Sequence, residues 1–124
     1  MAEGAPRVLL VAPDPELAEL VREALEPEGL VVHRARGPAT AAVRVAEYAP
    51  ALVLLDVEHG SLADLGAALE RAGAPATPVL LLVGRREPTL AGARLRLAGL
   101  VRKPFALADL QRAVLRALAH AAAD

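Results

Sequence analysis

The sequence predicts an α/β fold, a doubly wound five-stranded parallel sheet with helices on both faces. Short apolar runs rich in Val and Leu recur at Arg7–Val11, Leu30–Arg34, Leu52–Asp56, Val79–Val83 and Leu100–Lys103. Such continuous runs mark strands buried on both faces, as distinct from the alternating pattern of a half-exposed sheet. Helical patterns fill the gaps between the runs, and strand-helix alternation builds a parallel sheet. With 124 residues and 55% hydrophobic content, the chain can bury one core. Residues 1–124 are therefore read as one domain, with 1–6 and 120–124 expected to fray.

Each helix has its own signals. After the first strand, Leu17, Leu20, Val21, Ala24 and Leu25 recur at three- and four-residue spacing and lay an apolar stripe along one face. Asp14 before Pro15 is a good helix start, because Asp accepts free backbone N–H groups and proline at the first helical position loses no bond. The second helix, Pro38 to Tyr48, is rich in Ala, and the third opens on Ser61-Leu62-Ala63-Asp64, a capping-box pattern. A fourth is expected over Pro88–Ala98, with Leu90, Ala93 and Leu97 on one stripe and Ala91, Leu95 and Ala98 on another. A helix apolar on more than one side points to a partner. The last, Leu107 to Ala122, turns Leu107, Leu110, Val114, Leu118 and Ala121 inward and Asp109, Arg112 and Arg116 outward.

Composition excludes several classes of function. The net charge of −1 gives no general reason to expect nucleic acid, and the absence of cysteine excludes disulfide and thiol chemistry. The N-terminus lacks the order of a secretion signal, and no apolar run approaches the roughly 18 residues of a membrane span. The expectation is a cytoplasmic, soluble protein with no membrane contact. Of its 14 basic residues only Lys103 is a lysine, which suits a site that needs a compact ammonium in place of a planar guanidinium.

Five strand-helix units fit a flavodoxin-like sheet of order 2-1-3-4-5, in which ligands bind beyond the carboxyl ends of the strands. Asp56 ends the third strand at that edge, with Ala12, Pro13 and Val83 beside it and Lys103 approaching from the fifth strand. Asp56 and Lys103 are expected to meet there as a partly exposed pair worth about 0–1 kcal/mol. Asp14 and Glu58 are the other acids near this edge. A helix cap is the simpler reading of Asp14, and a solvated loop acid that of Glu58. His59 adjoins them, but no second His or Cys follows at ligand spacing, so no metal site is expected.

Over nearly its whole length the chain resembles the receiver domains of bacterial two-component response regulators (the CheY-like fold). The matching stretches are Val8-Leu9-Leu10-Val11 with Asp14-Pro15-Glu16-Leu17, Pro50 to Asp56, Thr77 to Leu82, and Lys103-Pro104-Phe105. The resemblance implies that Asp56 matches the aspartate that accepts a phosphoryl group from a histidine kinase, and Lys103 the phosphate-site lysine. It also exposes departures. Ala12 and Pro13 stand where the family has an acidic pair for Mg²⁺, Val83 where it has Ser or Thr, and Leu100 where it has an aromatic switch residue. The chain therefore looks like an atypical or pseudo-receiver, with no cofactor unless the site still takes Mg²⁺.

Three functions follow from these residues. The first is a phosphorylation-independent receiver-like module, not an enzyme, that contacts a histidine kinase, an output protein or a second copy of itself. Its expected surface is Arg94, Leu95, Arg96, Arg112 and Arg116. The second is a working phosphoacceptor that uses Asp56 with Asp14 or Glu58 as a substitute acid. The third is a flavodoxin-type small-molecule or nucleotide-binding domain, against which Val11-Ala12-Pro13-Asp14 offers no glycine-rich phosphate cradle.

Overall fold

The computed structural model describes residues 4–85, 88–89 and 94–123. The strands are β1 (Arg7–Val11), β2 (Val31–Ala35), β3 (Leu52–Asp56), β4 (Pro78–Val83) and β5 (Arg96–Arg102). They form one parallel sheet of order β2-β1-β3-β4-β5, so β3 lies at its centre. The helices are α1 (Pro15–Leu25), α2 (Pro38–Tyr48), α3 (Leu62–Arg71) and α4 (Leu107–Ala123), with a 3₁₀ turn at Glu26–Glu28.

The double-sided burial expected from the continuous apolar runs is realised as two cores. On one face Val8, Leu10, Leu52, Leu54, Leu80 and Leu82 pack with α1 and α4 through Val21, Leu25, Leu110 and Val114. On the other, Leu9, Val11, Val53, Leu55, Val79 and Leu81 pack with α2 and α3 through Ala41, Val45, Leu65 and Leu69. Each fully buried Leu or Val contributes about 1.5–3 kcal/mol. Exposed pairs such as Arg22–Glu19 and Arg44–Glu47 give about 0.3–0.5 kcal/mol. The sheet's two apolar faces therefore decide the fold.

The helix starts follow local chemistry. Asp14 Oδ1 accepts the Glu16 N–H at 2.9 Å, with Pro15 in the first helical turn. Ser61 Oγ accepts the Asp64 N–H at 3.2 Å, one half of the capping box. Within α1 the stripe shifts by part of a turn: Ala18 is buried and Leu20 is exposed. In α4 the deepest residues are Leu110, Val114 and Ala117, while Leu107 and Leu118 pack at the margin.

The expected fourth helix is corrected. Residues 96–98 belong to β5, which begins at Arg96 and pairs with β4 from Pro78 onward. The register shifts between Val79 and Leu80, and Gly99 adopts a φ of 145°, a conformation that favours glycine. The alternation Arg96-Leu97-Ala98 fits an edge strand as well as a helix, and the unpaired β4 edge selects the strand. Leu97 is consequently exposed. The stripe residues Leu90, Ala91 and Ala93 lie outside the described residues. The end expected to fray is helical through Ala123.

At the other edge, His33 on β2 stacks on Tyr48 of α2, with ring centroids 3.6 Å apart and planes within 7°. Burial and then the Arg7 cation push the His33 pKa below its ordinary 6.5, with Arg22 and Arg44 adding to the shift and Glu47 opposing it. A base with a lowered folded pKa adds stability that is complete above its unfolded pKa and is lost as pH falls through the folded value. We therefore expect the stability difference between the native chain and His33→Gln, from urea midpoints, to shrink as pH is lowered from about 7.5 to 5. A difference independent of pH would contradict this role.

Candidate functional site at the carboxyl edge of the sheet

Strand register brings Asp56 and Lys103 together. Asp56 pairs with Leu82 on β4, and β4 carries β5 alongside as far as Val83 and Arg102. The ladder runs one residue further, since the Lys103 N–H donates to the Val83 carbonyl at 2.7 Å. The side chain then reaches across β4, and Lys103 Nζ donates to Asp56 Oδ1 at 2.9 Å. The same oxygen accepts the Glu58 N–H at 3.2 Å, and the Asp56 carbonyl accepts the His59 N–H at 3.2 Å, so the loop after β3 folds around its own aspartate.

The pair is more buried than the sequence implies. The Asp56 side chain is 1% exposed and that of Lys103 26%. The two expected partners do meet, with the lysine partly exposed and the carboxylate buried more deeply than a pair worth about 0–1 kcal/mol implies. A carboxylate taken out of water on a sheet's central strand needs its counter-ion, and removing one partner of a buried pair typically costs about 3–5 kcal/mol.

Glu58 is drawn into the same cluster. Its side chain is 46% exposed, yet Oε2 lies 3.9 Å from Lys103 Nζ. Its carboxylate also rests against Gly84, where an added Cβ would fall 1.4 Å from Glu58 Oε1. Glycine after β4 thus gives the Glu58 side chain its seat, and the carboxylate stays exposed, as expected of a loop acid, while standing at the rim of the Lys103 contact. An open groove of about 760 Å³ beside it is lined by Glu58, His59, Ser61 and Arg85 among others, but not by Asp56 or Lys103.

The loop after β1 supplies no acid. Ala12 is buried and its N–H donates to the Ala35 carbonyl at 2.9 Å, while Pro13 is exposed. Arg34 of β2 closes this loop, with Nε donating to the Ala12 carbonyl at 3.1 Å and Nη2 to the Pro13 carbonyl at 2.6 Å. Sequence reasoning passed over this residue, and its only signal was a cation inside an apolar strand. Asp14 is exposed and engaged as the α1 cap. Val83 is wholly buried, and Leu100 is 48% exposed on β5.

Mg²⁺ takes carboxylate and water oxygens in near-octahedral geometry. Among the described residues no three His, Cys, Asp or Glu side chains converge to hold a metal. Asp56 and Glu58 already share the Lys103 ammonium. The residues present do not fit a resident Mg²⁺.

Solved structures with the same architecture include signal receiver domains. One is the N-terminal domain of a response regulator/sensory box/GGDEF three-domain protein from Carboxydothermus hydrogenoformans, with 24% identity, TM-score 0.81, and 94% of this chain and 97% of that one covered. Another is the signal receiver domain of an HD domain-containing protein from Pseudomonas fluorescens, with 21% identity, TM-score 0.80, and coverage of 97% and 99%. A third is NtrX from Brucella abortus, with 25% identity and TM-score 0.81, where 95% of this chain matches 28% of that one.

The chain has the receiver fold. No protein-family model matches the sequence, and no curated protein does. Among the described residues no helix is long and apolar enough to cross a membrane.

Within this receiver fold the expected contact surface divides in two. Leu95 packs into the α2–α3 core, its Cδ2 3.6 Å from where a Cβ on Gly66 would stand, and Arg94 lies over the same helix beside Ala63 and Glu70. Arg96 and Arg116 instead line a groove between β5 and α4, and Arg112 on α4 pairs with Asp109. Arg94 and Leu95 thus stand on the α3 side of the sheet, and Arg96 and Arg116 beside α4. Leu95 is a packing residue, because Arg94 and Leu95 themselves lie against Gly66 of α3.

Lys103→Ala is expected to destabilise the chain by about 2–4 kcal/mol, since it strands the buried Asp56 carboxylate. Asp56→Asn keeps an acceptor for both donors and should cost clearly less. Urea denaturation of both variants checks the order, and a Lys103→Ala loss below about 1 kcal/mol would mean an exposed, dispensable pair.

Proposed function

We propose that the chain is a receiver-like module of two-component signalling that works by protein contact, without phosphorylation and without catalysis of its own. The observation that carries this reading is the state of Asp56: buried, with Lys103 Nζ at 2.9 Å and the Glu58 N–H on the same oxygen. An incoming phosphoryl group would have to displace this arrangement. It would then meet a single ammonium shared with the Glu58 carboxylate, and Ala12 and Pro13 provide no side-chain ligand for the metal that normally neutralises such charge.

The route from Asp56 to the surface is also weakened. Val83, at the end of β4, has no hydroxyl to follow a phosphoryl oxygen, and Leu100 already stands exposed on β5 in place of a ring that could turn inward. A fixed surface is left as the determinant of binding. The part that best fits a histidine kinase, an output protein or a second copy is the β5–α4 side, where Arg116 lines a groove with exposed Leu97. The neighbours support this class of role, since one of them is a domain of a three-domain response regulator.

Incubation with acetyl phosphate and Mg²⁺, followed by intact-mass spectrometry, should leave the mass of the chain unchanged. Beryllofluoride with Mg²⁺ should likewise leave the amide shifts of β4 and β5 in place. One phosphoryl group per chain that disappears in Asp56→Asn would replace this reading with a working phosphoacceptor, Glu58 serving as its substitute acid.

A further inference from the structure

The β2 edge of the sheet carries an arrangement that the contact function above does not use. The Val31 N–H donates to the Pro6 carbonyl, and the Ala35 carbonyl accepts the Ala12 N–H. In a parallel ladder alternate residues turn both backbone groups to the same neighbour, so Val31, His33 and Ala35 face β1. The N–H and C=O groups of Val32 and Arg34 therefore face outward along an edge with no further strand among the described residues. An open groove of about 510 Å³ follows this edge, lined by residues 32–36 of the strand and its exit and by side chains from both flanking helices.

Cations border the groove on both faces of the sheet. Val32 and Arg34 belong to the α1 side, since Val32 packs in that core and Arg34 is in register with Leu10; there Arg22 of α1 joins them. His33 and Ala35 belong to the α2 side, where Arg44 and Tyr48 stand. Arg36 is exposed at the strand's carboxyl end and makes no hydrogen bond or ion pair among the described residues. Arg22 and Arg44 pair only with Glu19 and Glu47 on their own helices, weak surface contacts that exchange readily.

We propose that this edge captures an acidic peptide segment in extended conformation, added to the sheet as a sixth strand beside β2. Strand addition takes its affinity from main-chain hydrogen bonds, here to Val32 and Arg34, and its selectivity from side chains that alternate between the two faces. Acidic side chains on such a strand would meet Arg22 and Arg34 on one face and Arg44 on the other, with Arg36 at the end. A compact anion would engage only one of these sides, and the run of the groove along five consecutive residues matches an extended chain better. The inference does not depend on the state of Asp56.

The test is titration of the full chain with a fluorescein-labelled glutamate-rich peptide of about eight residues, enough to run the length of β2. The comparison ligands are the same peptide N-methylated at alternate amides and a lysine-for-glutamate version. Saturable binding is expected, with amide shifts centred on Val31–Ala35 and about tenfold weakening by N-methylation and by the exposed substitutions Arg36→Glu and Arg44→Glu together. The double variant should keep the native amide spectrum, because neither side chain is in a core. Equal binding of the N-methylated peptide would overturn strand addition in favour of simple charge attraction. No binding would also overturn it, leaving the arginines as guards against edge-to-edge association.

Discussion

A carboxylate on the central strand of a sheet buried on both faces cannot stand alone, and much of the carboxyl edge is arranged around that fact. Asp56 is the one buried charged residue of the described core. Its needs are met from two directions: Lys103 comes across β4 from the end of β5, and the Glu58 N–H comes back from the following loop. The second is local to the loop, but the first depends on register. If β5 slipped by one residue against β4, the Lys103 N–H would lose the Val83 carbonyl and its ammonium would leave Asp56. The ion pair therefore ties the edge strand β5 to the centre of the sheet, where packing alone holds it weakly: its pattern is mostly exposed or half-buried.

The same contacts bear on function. A phosphoryl group arriving at Asp56 would have to rearrange the contacts that the carboxylate makes in the unliganded chain. Here the lysine is committed, Glu58 leans onto it over Gly84, and Arg34 holds the two carbonyls of the loop after β1. Each of these contacts is internal and mutually satisfied, and among the described residues no buried side-chain polar atom lacks a partner. An edge satisfied in this way stabilises one conformation. That is the physical basis for reading the module as a fixed contact surface.

Most of the fold was legible because it rests on burial. Val53-Leu54-Leu55 can only belong to a strand covered on both sides, and Asp14-Pro15 and Ser61 mark helix starts by local hydrogen bonding. The start of β5 was not legible, since Leu95, Leu97 and Ala98 satisfy a helical period and an edge-strand alternation equally well. Pairing with β4, a long-range choice, decided between them. At the site, Asp56 and Lys103 could be named from the sequence, but the depth of Asp56 could not, because burial of a strand end depends on the loops folded over it. Arg34 and the seat of Glu58 over Gly84 escaped for a related reason. Each depends on a neighbour distant in sequence, the Ala12 and Pro13 carbonyls in one case and the bare Cα of Gly84 in the other.

Because Lys103 is the only lysine in the chain, ¹⁵N-lysine labelling gives a single side-chain ammonium resonance, and its behaviour reports directly on the Asp56 contact. An ammonium held by a buried carboxylate exchanges its protons with water slowly, whereas a free surface ammonium exchanges fast. The structure predicts a slowly exchanging Lys103 signal in the unliganded chain, unmoved by millimolar Mg²⁺ and lost in Asp56→Ala. A fast-exchanging signal in the native chain, or one released from Asp56 by Mg²⁺, would contradict a site closed on itself.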